Sequence, residues 1–205
     1  DRLKIIKKVK ELHPSMSFRS TFLGLHAIPQ DANEALFTQE MISLLPQVKQ
    51  LGLADFVDAF PEEGFFSLEN SLRFCEAAKE LGLKAKVHAD EITEVKATES
   101  FVKLGAQSVD HLQKITEQGI KALSDSSCVG TLLPATSFYL GLEYTHARKL
   151  LESGVQIALA TDFNPGSAPE KRMGLTLLLA ASQMKMRPEE ILCAATFNGA
   201  AALNW

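Results

Sequence analysis

The chain has 205 residues, of which 46% are apolar and 22% charged, and this composition excludes a disordered or fibrous protein. A formal net charge of -4 and a pI near 5.8 argue against a nucleic-acid partner or a polybasic contact with membranes. Three widely spaced cysteines, no recognisable leader segment and no long apolar run predict a cytoplasmic protein without a disulfide framework.

The predicted elements begin with an amphipathic helix at residues 2–12. Because the sequence starts at Asp1 rather than Met, and because Trp205 closely follows another helical stretch, both ends are expected to be cut from a longer chain. Further helices are predicted at residues 34–50, 67–81, 94–104, 117–123, 145–153 and 171–186, with another opened by Pro188. Short apolar strands are predicted at residues 20–25, 54–58, 85–88, 108–111, 128–133 and 157–162.

A recurring pattern joins these helices to these strands. A helical stretch ends at a glycine, and the strand that follows carries a polar residue at its far end. The pattern occurs four times, as Gly52 with Asp58, Gly82 with His88, Gly105 with His111, and Gly154 with Asp162. Glycine just after a helix adopts the left-handed conformation without a Cβ clash, so each glycine predicts a helix end. Repeated helix–strand units predict parallel strands, whose polar residues meet at the carboxyl edge of the sheet.

The alternation of strands and helices predicts an α/β fold, for which two architectures compete. A doubly wound sheet would be expected to carry a glycine-rich phosphate loop after an early strand, and no GxGxxG or GxxxxGKS sequence occurs. A (β/α)8 barrel needs eight strands and about 250 residues, whereas only six strands are predicted here. The prediction is therefore a single partial TIM-like barrel domain over residues 1–205, with two strands missing.

Residues suited to a hydrolytic site lie at the predicted strand ends. His88 followed by Glu91 can supply a neutral imidazole to a metal and a nearby carboxylate for proton transfer. The alternative for His88 alone is a hydrogen-bonded histidine beside a helix-capping Asp90. His111 ends the next strand, and because neighbouring strands lie about 4.8 Å apart, the two imidazoles are expected to reach one small ligand.

The segment ALATDFNPG at residues 158–166 is the most specific in the chain. A buried strand that ends at Asp162 and turns through Asn-Pro-Gly brings a carboxylate to the barrel mouth, with Asn164 and backbone amides beside it. The alternative is an Asp162 that only caps the next loop. His26 also follows a predicted strand, either as part of the same site or as a hydrogen-bonded loop histidine.

These motifs resemble the imidazolonepropionases, a family of the amidohydrolase superfamily. The matching segments are TFLGLHAIP, ADFVDAFPEEGFFS, KVHADEI, GAQSVDHL, LLPATSFYLG, GVQIALATDFNPGS and PEEILCAATFNGAAAL, which run from about residue 20 to residue 203. HADE is only moderately specific, because adenosine-deaminase-like barrels carry a similar run. TDFNPGS together with DHL at this spacing is highly specific.

The resemblance implies a role for each matched residue. The matched metal ligands, for Zn or Fe, are His88 and Asp162; the matched substrate-binding residues are His26, Glu91, Asn164 and Gly166; the matched catalytic residues are His111, Asp162 and Glu91. The implied reaction is hydrolysis of a ring C–N bond of 4-imidazolone-5-propanoate to N-formimino-L-glutamate, a step of histidine degradation, by a metal-activated water. The implied partners are this small-molecule substrate and, in the full-length protein, a second copy of the chain.

The sequence also departs from the family's pattern. The family's first barrel strand carries a His-x-His pair that supplies two further metal ligands, and no such pair occurs in these 205 residues. The Arg and Tyr that follow this pair and bind substrate, and a small β-sandwich formed by both chain ends, are missing too. His88 and Asp162 alone are expected to hold a divalent ion poorly, so little activity is expected of this chain by itself.

Two other functions stay open from the sequence. One is a related amidohydrolase for another cyclic amide or amidine, such as a cytosine or guanine deaminase, although Asn164-Pro165-Gly166 after Asp162 favours the first function. The other is a truncated barrel that works as an interaction domain rather than as an enzyme, with exposed strand edges where two strands are missing. A comparison of turnover rates on imidazolone propionate and on cytosine distinguishes an imidazolonepropionase from a cytosine deaminase.

Overall fold

The computed structural model describes residues 2–205 and shows six strands and ten helices in this part of the chain. The strands are β1 (Thr21–Leu25), β2 (Phe56–Ala59), β3 (Lys84–Ala89), β4 (Ser108–His111), β5 (Val129–Leu132) and β6 (Ile157–Leu159). The helices are α1 (Arg2–Leu12), α2 (Glu34–Gln50), α3 (Leu68–Glu80), α4 (Ala97–Leu104), α5 (Glu117–Ser124), α6 (Pro134–Leu140), α7 (Ala147–Glu152), α8 (Met173–Ser182), α9 (Pro188–Ala195) and α10 (Phe197–Ala202). No helix within residues 2–205 is both long and apolar enough to cross a bilayer.

Contacts between residues divide the chain into two compact units, residues 1–87 and residues 88–205. In the first unit, β1, β2 and β3 pair in parallel in this order, with Thr21 opposite Phe56 and Phe56 opposite Lys84. The helices α2 and α3 pack against each other, α2 on β1 and α3 on β2. The core of this unit buries large apolar side chains, among them Leu45, Phe56, Phe66 and Phe74.

The second unit contains the last two residues of β3, His88 and Ala89, and the strands β4, β5 and β6. These three strands also pair in parallel in chain order, with Asp110 opposite Thr131 and Thr131 opposite Ala158. After β4, the amide of Leu112 donates to the carbonyl of Ala89 at 3.1 Å. The buried core of this unit includes Phe101, Leu123, Leu132, Leu150 and Ile157.

The glycines of the recurring pattern end the helices as predicted. Gly105 is the C-cap residue of α4 and has φ +89°, a conformation that a side chain with a Cβ rarely adopts. The other three glycines, Gly52, Gly82 and Gly154, also have positive φ. The predicted change from helix to strand is therefore confirmed at all four places.

The structure corrects several predicted element boundaries. β6 ends at Leu159, so Asp162 lies beyond the strand rather than at its end, and its φ of +51° is incompatible with an extended strand. The helix predicted at residues 171–186 is shorter and spans Met173–Ser182, and the positive φ of Lys185 is incompatible with a helix that continues to residue 186. The helix α6 was not predicted, and it begins with Pro134, whose fixed φ and missing N–H suit the first position of a helix.

Candidate functional site

His88 and His111 are brought together in the second unit, at the ends of β3 and β4. Their imidazole rings stack with centroids 5.2 Å apart and planes 29° from parallel. Only 2% of the His111 side-chain surface is exposed, so this ring is held by its surroundings. The predicted proximity of the two imidazoles is confirmed. That both contact one small ligand stays a prediction.

Glu91 is a buried residue whose carboxylate lies near an imidazole nitrogen of His111. Its Oε1 is 3.4 Å from Nδ1 of His111. A carboxylate in this position stabilises the imidazole when it takes up a proton. The pair formed by Glu91 and His111 is therefore suited to proton transfer.

The backbone around His111 is strained. His111 has φ +80° and Leu112 has φ +69°. For a residue other than glycine, a left-handed backbone conformation costs on the order of 1–3 kcal/mol of conformational free energy. Two hydrogen bonds hold the turn: the Thr145 hydroxyl donates to the His111 carbonyl at 2.7 Å, and the Leu112 amide donates to Ala89. Strain of this kind persists where the surrounding structure fixes it, and it is concentrated at functional sites.

Asp162 is a partly buried carboxylate with one short hydrogen bond. The hydroxyl of the fully buried Thr136 donates to its Oδ2 at 2.6 Å. Burial raises the pKa of Asp162 above its ordinary value of 3.8, while the Thr136 hydrogen bond and the charge of His88 lower it. The negative charge of Asp110 raises it further. Asp162 and His88 therefore lie within electrostatic reach of each other.

The loop after Asp162 is organised by the side chain of Asn164. Its Oδ1 accepts from the amides of Gly166 at 2.9 Å and Ser167 at 2.8 Å. Its Nδ2 donates to the Asp162 carbonyl at 2.8 Å and to the Ser167 hydroxyl at 2.9 Å. Asn164 thus fixes the loop that presents the exposed Gly166. A substrate-binding role for Asn164 and Gly166 stays a prediction.

His26 belongs to the first unit and directly follows β1, as predicted from the sequence. Its side chain is exposed, and its ring stacks on Phe60 with centroids 5.5 Å apart. The role of His26 in substrate binding stays a prediction.

Two residues of the site were missed by the sequence analysis, Thr136 and Thr145. Thr136 lies in the first turn of α6, directly after β5, and Thr145 precedes α7. The signal for Thr136 was present in the sequence, because LLPAT places a hydroxyl just past a buried strand and a proline that opens a helix.

Comparison with known proteins places this geometry in a family. The sequence pattern of the amidohydrolase family matches residues 54–205. An imidazolonepropionase from Bacillus cytotoxicus is 44% identical over 206 residues, which cover 99% of this chain and 48% of the relative. An imidazolonepropionase from Fusobacterium nucleatum is 43% identical over 205 residues, which cover 99% of this chain and 49% of the relative. The chain spans about half the length of these curated relatives.

Solved structures with a similar fold include two deaminases. An adenosine deaminase from Xanthomonas campestris with bound zinc has a TM-score of 0.73 at 18% identity, covering 98% of this chain and 51% of that one. The guanine deaminase of E. coli has a TM-score of 0.70 at 15% identity, covering 98% of this chain and 53% of that one. At these identities the likeness establishes the fold, an incomplete TIM-like barrel of parallel strands and helices, as the sequence predicted. Because the family pattern also matches residues 54–205, the chain belongs to the amidohydrolase family.

Proposed function

We propose that the complete protein hydrolyses a ring C–N bond of 4-imidazolone-5-propanoate and releases N-formimino-L-glutamate. The observation that carries this proposal is the stacking of His88 on His111, with ring centroids 5.2 Å apart, in the compact unit that also contains Asp162. The choice of substrate is supported by the imidazolonepropionases that are 44% and 43% identical to this chain.

His88 and Asp162 are proposed as ligands of one divalent ion, Zn or Fe. An imidazole nitrogen and a carboxylate oxygen are suitable donors for both metals. Catalytic zinc sites have three protein ligands, however, and no group of three or more His, Cys, Asp or Glu side chains in residues 2–205 is arranged to hold an ion. These two donors are therefore of the right type for a metal but too few for a complete site. The proposal requires further metal ligands elsewhere in the complete protein.

Proton transfer is proposed for the residues that flank this pair. A divalent ion held by His88 and Asp162 would lower the pKa of a water to about 7 and so would supply hydroxide at neutral pH. His111, backed by Glu91 at 3.4 Å, and Asp162 are proposed to hold and move the protons. In the balanced reaction one water adds across the C–N bond, so that its oxygen joins the carbonyl carbon and a proton goes to the departing ring nitrogen.

Substrate binding is proposed for His26, Glu91, Asn164 and Gly166. The support for the last two is the loop geometry, in which Asn164 holds the Gly166 backbone at a hydrogen-bond distance of 2.9 Å. These hydrogen bonds fix the shape of the loop, which would form one wall of the proposed substrate site.

The remaining features of the proposal concern the complete protein. We propose a single barrel domain over residues 1–205, a homodimer and a cytoplasmic location, and binding of a small molecule without a nucleic-acid or membrane partner. The net charge of -4 argues against a nucleic-acid partner, and the name of the relatives supports a small-molecule substrate. Sedimentation velocity of the complete protein tests the dimer, since a monomer at all concentrations would reject it.

The proposed reaction is tested by turnover. The complete protein, loaded with Zn or with Fe, is assayed separately on 4-imidazolone-5-propanoate, cytosine and guanine. We expect the highest kcat/KM on imidazolone propionate and formation of formimino-glutamate. A higher kcat/KM on cytosine or guanine would reject the proposed substrate while leaving the hydrolase class in place. No turnover of any of the three would reject both.

A further inference from the structure

Asp90 lies in the HADE motif between His88 and Glu91, but both oxygens of its carboxylate accept hydrogen bonds from the loop and helix that follow. The residue is fully buried, and its Oδ1 accepts from the amides of Val95 at 3.2 Å and Ala97 at 3.1 Å. Its Oδ2 accepts from the amide and the hydroxyl of Thr98, at 3.0 and 2.6 Å. A carboxylate has about four lone-pair sites, so these four donors leave none for a metal or a substrate.

The same hydrogen bonds begin the helix α4. Its N-cap residue, Lys96, has φ +60° and provides no side-chain cap. The first amides of the helix, those of Ala97 and Thr98, are satisfied instead by Asp90, which lies several residues upstream. Asp90 therefore joins the two ends of the loop between β3 and α4, and Glu91 lies within that loop.

The backbone of Asp90 ties this loop to the next one. Its carbonyl accepts from the amide of Lys114 at 2.7 Å, and the carbonyl of Ala89 accepts from the amide of Leu112 at 3.1 Å. Leu112 directly follows His111, so the loop that carries Glu91 and the loop that carries His111 are joined by two hydrogen bonds. The Glu91–His111 pair, with 3.4 Å between Oε1 and Nδ1, lies beside this joint.

We propose that Asp90 is a positioning residue, which holds Glu91 against His111 and is neither a metal ligand nor a group that touches substrate. Asp90 has a left-handed φ of +49° and His111 one of +80°. Both strained turns need an external constraint, and the cross-tie through Asp90 supplies it. The proposal rests on the proposed function, in which Glu91 and His111 act on the substrate.

Two variants of Thr98 test the proposal with little change of shape. Thr98→Val removes the 2.6 Å donor to Asp90, whereas Thr98→Ser keeps it. Asp90→Asn, as a stronger change, replaces an acceptor oxygen by a donor. Misplacement of a reacting group by about 1 Å costs about 100-fold in rate. In the complete protein we expect kcat on imidazolone propionate to fall about 100-fold in Asp90→Asn and about 10-fold in Thr98→Val, with Thr98→Ser close to wild type.

Two further readouts separate positioning from ligation and from a wrong substrate. Metal content per chain is expected to stay equal to wild type in all three variants, and loss of metal in step with activity would make Asp90 a ligand and overturn the proposal. Hydrogen exchange of the Leu112 and Lys114 amides is expected to be at least about tenfold faster in Thr98→Val than in Thr98→Ser. Unchanged exchange in that pair also overturns the proposal. If wild type does not turn over imidazolone propionate, the proposed function fails, and the exchange measurement still decides the role of Asp90.

Discussion

The hydroxyl of Thr136 lies 2.6 Å from Oδ2 of Asp162, and Thr136 itself is fully buried. A hydrogen bond of this kind orients a carboxylate and occupies one of its two oxygens. Thr136 therefore orients the Asp162 carboxylate, which we propose as a metal ligand. Thr136 lies in α6, a helix that the sequence analysis did not predict.

Removal of this donor is expected to weaken the proposed metal site. Thr136→Val keeps the shape of the side chain, and loss of a group that orients a ligand costs about 10- to 100-fold in metal affinity or activity. Thr136→Ser retains the hydroxyl and serves as the control. The measurement is metal content of the complete protein after dialysis against graded chelator, together with kcat. Equal metal retention by the two variants would show that this hydrogen bond does not orient a ligand.

The ion pairs of Glu190 predict a pH-dependent stability. Two hydrogen bonds from Arg148, at 2.9 and 2.8 Å, and the nearby Arg187 hold the pKa of Glu190 far below its ordinary value of 4.5. Because the folded pKa is lowered, this contribution to stability is complete above about pH 4.5 and is lost as the pH falls through the folded pKa.

Glu190→Gln is therefore expected to lower Tm by about 2–4 °C at neutral pH. The difference from wild type should narrow progressively below pH 4.5, where Glu190 of the unfolded chain takes up a proton while Glu190 of the folded protein stays ionised. Thermal unfolding at a series of pH values checks this. Glu189→Gln is the matched control, because the Glu189 side chain is 67% exposed and should change Tm little. A Tm difference that is constant from neutral pH to pH 3 would contradict the assignment.

Packing around Gly119 predicts a second stability effect. A Cβ at this position would lie 2.9 Å from Cγ1 of Ile115, 3.1 Å from Oε2 of Glu99 and 3.3 Å from Cβ of Thr98. Gly119→Ala is expected to lower the free energy of unfolding by about 1–3 kcal/mol, because side chains must move to make room.

Gly174→Ala is the control for that variant. Gly174 also lies in a helix, but a Cβ there would meet no atom within 4 Å. Alanine is favoured over glycine inside a helix by about 0.5–1 kcal/mol, so this variant should gain stability. Urea unfolding of both variants gives the two free energies, and a loss of the same size at both positions would contradict the packing at Gly119.

The loop after Asp162 predicts an effect on substrate binding. Asn164→Asp keeps the oxygen that accepts from Gly166 and Ser167, and it replaces the donor to the Asp162 carbonyl by a second oxygen. The added negative charge should repel the propionate group of the substrate. We expect KM for imidazolone propionate to rise at least about tenfold. Addition of 0.5 M salt should reduce this increase by screening, and an unchanged KM would argue against a propionate site at this loop.

The features that the sequence predicted correctly are the local ones. Gly105 ends α4 in the left-handed conformation, which is favoured by the absence of a Cβ and does not depend on distant contacts. The spacing from Gly105 to His111 then predicts where β4 ends. The proximity of His88 and His111 follows from their positions at the ends of the neighbouring strands β3 and β4. Both depend on spacing along the chain, which is visible in the sequence.

The features that the sequence did not predict depend on contacts between distant residues. Thr136 meets Asp162 only because α6 begins directly after β5, and Asp90 satisfies amides of α4 that a local cap would normally bind. Asp162 was expected at the end of a strand, but its positive φ places it in the following loop. Such contacts involve the tertiary structure, and spacing along the chain does not encode them.

The central claim is that His88 and Asp162 bind the same divalent ion beside His111. The most direct measurement is a crystal structure of the complete protein from data collected at the absorption edge of the bound metal. The account predicts an anomalous peak about 2.0–2.2 Å from an imidazole nitrogen of His88 and from a carboxylate oxygen of Asp162. A peak bound only by other residues, or no peak near these two side chains in active protein, would contradict it.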